Sequence, residues 1–212
     1  MAPAVPTGLP RRARWVLVLA AVGGLLFTTG LLLEVRCAVG RCAAPGVRRL
    51  FDLDALGSLP RLFTTGVFVL VAGLAGLASW RAVRRAGWWW ALIAAGAVVL
   101  AGAKAVSVHS SAEQDGGRLL TLSGGVALTI AGLVLLLWTG LRWSVPGAVP
   151  VTGALTAYAV AALGLDQLTG AVGSVSASPV ALAFAVYLEE GGEAVTALVL
   201  LAVVLQAVSR GR

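Results

Sequence analysis

Six long apolar runs set the limits on what this chain can become. They cover Trp15 to Val35, Leu62 to Trp80, Trp88 to Val108, Leu119 to Leu141, Ala148 to Leu165 and Pro179 to Val208. Each is close to the ~20 residues that a helix needs to cross ~30 Å of hydrocarbon. Inside a bilayer no water satisfies an unpaired amide, so each spanning segment must close its backbone hydrogen bonds within itself and be a helix. The expected fold is all-α: a polytopic membrane helix bundle with six transmembrane helices.

Charge and composition exclude the alternatives. Only 12% of the 212 residues are charged and 59% are hydrophobic, against about 25% charged in a soluble domain. That leaves too little polar surface to cover a globule, so the lipid bilayer is the expected partner. The net charge of +7 does not indicate nucleic acid, because the arginines fall in short clusters between apolar runs and not on one face. The 27 glycines suit close packing of membrane helices through small residues. Two cysteines are too few for a disulfide scaffold or a four-thiolate zinc site. No phosphate loop, nucleophile elbow, nucleotide fingerprint or His-Glu-x-x-His pattern occurs, so neither a metal nor a cofactor is expected.

Along the chain, residues 1–13 read as a disordered, basic, Pro-rich tail and residues 14–208 as one six-helix transmembrane domain. Arg11, Arg12 and Arg14 before the first run resemble the start of a signal peptide. The run is about 20 residues long, where a signal core is about 7–15, and no small-x-small cleavage site follows it directly, so it reads as a retained helix. An outer loop spans 36–60, with a short surface helix expected over Asp52 to Pro60. Cys37 and Cys42, four residues apart in that loop, are expected to form a disulfide in an oxidising compartment. Trp88, Trp89 and Trp90 mark a membrane boundary. Asp166 to Ser178 reads as a Gly/Ser-rich loop. The arginine bias favours both termini in the cytoplasm of a bacterial cell, with the chain in its inner (plasma) membrane.

Chemistry concentrates in the last run. Glu189, Glu190 and Glu193 fall within an arc of about 100° on a helix, so they form one acidic stripe that must face protein or water. Clustered carboxylates bind hard cations or share protons; equally, a stripe near the outer surface can be a structural polar patch. Depth decides between these, and it depends on whether the helix enters the bilayer at Pro179 or nearer Val186. Lys104, the one lysine, either snorkels to the interface or pairs with these acids. His109 and Glu113 are four apart and share a face if the third helix continues past Val108.

Three segments together resemble a family of uncharacterised bacterial, actinobacterial-type multi-pass integral membrane proteins. They are Asp52-Leu53-Asp54 through Leu59-Pro60-Arg61-Leu62-Phe63-Thr64-Thr65, Lys104 through His109 to Glu113, and the C-terminal Glu-Glu-x-x-Glu from Glu189 to Glu193. This sequence departs from that pattern at Lys104 and Ser107, where acids are expected. The resemblance implies fold and topology more than activity. The leading expectation for function is proton- or cation-coupled transport, or ion binding, through the carboxylates of the last helix, with Lys104, His109 and Glu113 as candidate companions. The alternatives are a membrane-embedded enzyme acting on lipid and a non-catalytic subunit that docks a membrane protein partner or a second copy of itself.

Overall fold

The computed structural model describes residues 11–106, 118–176 and 178–210, with the side chains of residues 11–12 and 118–123 left aside. Among these, the chain is all-helical. Helix α1 spans Arg11–Ala38, α2 Pro45–Phe51, α3 Leu59–Arg81, α4 Arg85–Val106, α5 Arg118–Arg142, α6 Ala148–Val175 and α7 Pro179–Arg210. All but α2 are long and apolar enough to cross a membrane. The protein is thus a multi-pass integral membrane protein with six candidate spans, as the run lengths predict.

Several boundaries differ from the sequence reading. Helix α1 begins at Arg11, inside the segment expected to be a disordered tail through residue 13. The short helix of the 36–60 loop lies at Pro45–Phe51, not over Asp52 to Pro60. Proline is at home in a helix's first turn, where its missing N–H has no intrahelical role. The segment expected to be helical turns instead on Asp52, whose Oδ1 accepts 3.0 Å hydrogen bonds from the amides of Asp54 and Ala55; an Asp side chain competes in this way with helical bonding. Asp166 to Ser178 is not a loop over most of its length, because α6 stays helical to Val175. Its glycines weaken a helix by only about 1 kcal/mol each, and a neighbouring helix offsets that.

Helix α7 is the centre of the bundle and packs against α1, α3 and α6; α4 lies mainly on α3, and α5 bridges α4 and α6. The main core joins Val67, Phe68 and Val71 of α3 to Trp89 and Ile93 of α4, Val151 and Tyr158 of α6, and Leu200 and Val204 of α7. Of the tryptophan triplet, only Trp88 is exposed as an interfacial residue would be. Trp89 is fully buried, and its indole Nε1 donates a 2.8 Å bond to the Leu136 carbonyl of α5. Gly140 opens the space for it: a Cβ there would come within 2.9 Å of that Nε1 and 2.5 Å of the Ala148 Cβ. A second, small cluster of Phe27, Leu53 and Ala194 anchors the loop after α2. Gly30 admits that loop, since a Cβ would stand 2.5 Å from the Phe51 carbonyl oxygen.

Successive spans run antiparallel, which brings Arg14, Arg81, Arg85, Arg142 and Arg210 to one end. A helix rises about 1.5 Å per residue, so Arg61 stands roughly 30 Å from Arg81, Lys104 roughly 28 Å from Arg85 and Glu190 roughly 30 Å from Arg210. Three helices thus agree in placing these charges at one level, roughly 30 Å from the basic end. Helices α6 and α7 have 28 and 32 residues. Measured from Gly147, which packs on Ala207, their hairpin rises roughly 42 Å, more than the ~30 Å that a span requires.

Candidate functional site

The stripe of acids on α7 faces inward. Glu190 and Glu193 are buried, 3% and 5% exposed, and Glu189 is half-buried, while Leu188 and Val195 on other faces are exposed. The helical periodicity therefore placed the stripe correctly against protein. Leu198, which helical spacing puts on a face away from the stripe, is also buried, because α7 is enclosed on three sides. One carboxylate oxygen from each of Glu189, Glu190 and Glu193 lies within 4.8 Å of the others.

Lys104 answers two of these acids. Its Nζ is 3.0 Å from both carboxylate oxygens of Glu190 and 2.8 Å from Oε2 of Glu193. Of the two expectations for this lysine, pairing and not snorkelling is what the structure contains. Helix α4 delivers it from its last turn, where the rise from Arg85 brings Lys104 level with the acids. Gly192 lets α6 and α7 approach beside them: a Cβ there would meet Leu165 Cδ1 at 2.6 Å.

Two further residues complete the cluster, and the sequence reading missed both. Tyr158 of α6 is 5% exposed, and its hydroxyl donates a 2.8 Å hydrogen bond to Glu193 Oε2. Arg61 of α3 has a side chain only 8% exposed; its Nη2 lies 3.0 Å from Asp54 Oδ1 and 3.9 Å from Glu190 Oε1. A tyrosine in mid-span signals itself, since a buried phenol needs a partner. Arg61 stands in the first turn of an apolar helix, just ahead of the run that begins at Leu62, where a basic residue reads as a flank of the span. Asp54, in the turn above, is 72% exposed at its side chain, so a line of charge runs from the surface through Arg61 to Glu190.

The buried charges balance. Arg61 and Lys104 stand against Glu190 and Glu193, and each acid has a cation within 4.0 Å. Such pairing is required, because an unpaired charge in a low-dielectric interior costs several kcal/mol. Glu189 has no cationic partner among the described residues; it sits beside Thr169 and Asp166 of α6. His109 and Glu113, named as candidate companions, lie outside the described residues. Cys37 and Cys42 form the expected disulfide, at the end of α1 and away from the cluster. Arg48 of α2 reaches back to Glu34 of α1 at 3.6 Å, which fastens the same outer loop.

Three oxygens converging within 4.8 Å are part of the donor set that a hard cation takes. Here, however, an ammonium already lies against two of the three acids, Glu190 and Glu193, so the arrangement can either hold Lys104 or exchange it for another positive charge. Comparison with known proteins finds no matching family model, no matching curated protein and no matching solved structure.

Proposed function

We propose that this membrane protein takes up and releases a proton or a small monovalent cation at Glu189, Glu190 and Glu193, with Lys104 as the internal counter-cation. The observation that carries the reading is the count of charges inside the bundle: one ammonium bridges two buried carboxylates, and a third acid lies in reach with no cation of its own among the described residues. With Lys104 and Arg61 engaged, Glu190 and Glu193 are balanced and the remaining place for a proton or cation is Glu189. If α4 shifts and withdraws Lys104, Glu193 loses its cation and Glu190 keeps only the more distant Arg61. The pair must then accept a proton or a small cation, because a protein interior does not tolerate an unpaired buried charge. Binding and helix movement are coupled through that requirement. The arginine bias supports an orientation with the basic end in the cytoplasm and the acids near the outer face of a bacterial plasma membrane.

The test is uptake by the purified chain in proteoliposomes, read with a pH-sensitive dye for protons and with radioactive sodium for cations. Uptake by the wild type that disappears in the Glu189→Gln, Glu190→Gln, Glu193→Gln triple variant supports the proposal. Equal signals from the two proteins, with the triple variant correctly inserted, overturn it.

The complete pairing of Lys104 favours a second reading, in which the ion pairs only fasten α4 to α7 in a non-catalytic subunit. The same experiment separates the two, since a brace stabilises the fold without moving protons or ions.

A further inference from the structure

Arg61 is under-used for a buried guanidinium. Of its three nitrogens, only Nη2 has a hydrogen-bond partner among the described residues; Nε and Nη1 are buried without one there. Its one short contact, Asp54, comes from an exposed turn and is made through a single oxygen. A guanidinium is built to grip a carboxylate through two parallel N–H···O bonds, so Asp54 fills half of what Arg61 offers. A buried donor left unpaired loses its hydration without compensation, and native structures rarely accept that without a ligand or water in the place.

The neighbouring groups show the same deficit. Ser58, at the N-cap of α3, is fully buried, makes no capping bond, and its Oγ has no partner. The Thr65 hydroxyl is likewise buried and unpartnered. Ser58, Arg61 and Thr65 are spaced three and four apart, which puts them on one face of α3. The N-terminus of a helix carries partial positive charge from its free amides and favours an anion. Unpartnered donors thus gather around Arg61 at a helix start, next to an acid, Asp54, held there by a turn. That turn pivots at Gly57, whose φ of +76° suits glycine.

We infer that the first turn of α3 is a binding site for a carboxylate anion, with Arg61 as its principal ligand and Asp54 as a tethered stand-in that the anion replaces. The anion takes two hydrogen bonds from Arg61 where Asp54 takes one, and the Ser58 hydroxyl is free to donate a third. Glu190, 3.9 Å from Arg61 Nη2, opposes the anion while it is charged. Neutralising Glu190 removes that opposition, so a proton on the cluster and an anion on Arg61 favour one another. This link between the two sites rests on the proton uptake proposed above; the anion site itself does not. No covalent step is involved. The carboxylate can come from a small acid in water or from a fatty acid in the outer leaflet, and the two are told apart by using one probe of each kind.

The experiment measures thermal unfolding of the purified full chain in detergent with acetate and, separately, with laurate. At a probe concentration about ten times its Kd, the midpoint should rise by roughly 3–5 °C. Asp54→Asn, which removes the stand-in, should tighten the binding of whichever acid acts by about tenfold, and Glu190→Gln should also tighten it. Arg61→Lys, which keeps the charge and loses the fork, should weaken binding by about tenfold, and Arg61→Gln should abolish it. Inorganic phosphate at matched ionic strength controls for salt. Stabilisation by either acid that requires Arg61 and grows in Asp54→Asn supports the site. No shift in both the wild type and Asp54→Asn, or an equal shift in Arg61→Lys and wild type, overturns it. If Arg61→Gln fails to insert, the Asp54→Asn and Arg61→Lys comparisons still decide. A carboxylate effect with no proton or cation uptake in liposomes leaves this site standing and removes the coupling; uptake without a carboxylate effect leaves the proposed function standing and removes both this site and the coupling.

Discussion

Tyr158 and Lys104 meet on a single atom. The phenol donates its 2.8 Å hydrogen bond to Glu193 Oε2, and the ammonium lies 2.8 Å from that same oxygen. Helices α4, α6 and α7 are therefore tied together at one carboxylate. Tyr158 also sets its ring edge-on to Phe68 of α3, with centroids 4.8 Å apart, so the phenol is held from both ends. Tyr158→Phe keeps the ring and removes only the hydroxyl. Because its acceptor is charged, the loss should be about 1.5–3 kcal/mol, read as a lower unfolding midpoint of the purified protein.

Lys104→Met should be the more damaging change. It leaves Glu190 and Glu193 buried with one distant cation between them, a situation that costs about 3–5 kcal/mol when one partner of a buried pair is deleted. Adding Glu190→Gln and Glu193→Gln to Lys104→Met should recover a large part of that loss. If the three changes instead sum without recovery in a thermal or denaturant series, the residues do not act as a unit.

The glycines divide into two kinds that a single substitution separates. Gly140→Ala places a methyl 2.5 Å from the Ala148 Cβ and 2.9 Å from Trp89 Nε1, and should destabilise by about 1–3 kcal/mol through overpacking. Gly96 has nothing within 4 Å of its Cβ position. Gly96→Ala should leave stability unchanged or raise it by up to about 1 kcal/mol, as helix propensity favours alanine. Equal midpoints for the two variants would contradict the close approach of α4, α5 and α6.

Cys37 and Cys42 are the only cysteines in the chain, and they are joined. A maleimide reagent should label no site on the unfolded, non-reduced protein and two after reduction, counted by mass spectrometry. Because the loop they close is short, the Cys37→Ser, Cys42→Ser variant should lose no more than about 2 kcal/mol.

Much of this architecture could be read from the residues alone, for a definite reason. The bilayer permits so few solutions that run length fixes the element type, and all six spans followed from it. The inward direction of Glu190 and Glu193 followed from the same physics, since charge cannot face lipid. What escaped the sequence was pairing across distance. Tyr158 and Glu193 are thirty-five positions apart, and nothing local in either member names the other; Lys104 and Glu190, eighty-six apart, could be matched only because Lys104 is the one lysine in the chain and its charge needs an acid. Asp166 to Ser178 misled for the opposite reason. Its Gly and Ser content signals a turn when α6 is taken alone, but α7 alongside holds the segment helical to Val175. Arg61 gives no local sign of its role because a basic residue next to a proline also suits a loop, whereas Pro60 marks the first turn of α3 and carries its neighbour into the protein.

The length of α6 and α7 has a mechanical result. Two helices of 28 and 32 residues run side by side to their joined ends, and Glu190 lies roughly 16 Å from Pro179 by helical rise. Bending the pair sideways at those ends turns Glu190 relative to Lys104 and Arg61, which ride on separate rods. A load on the tip of the hairpin is thereby a load on the acids below it.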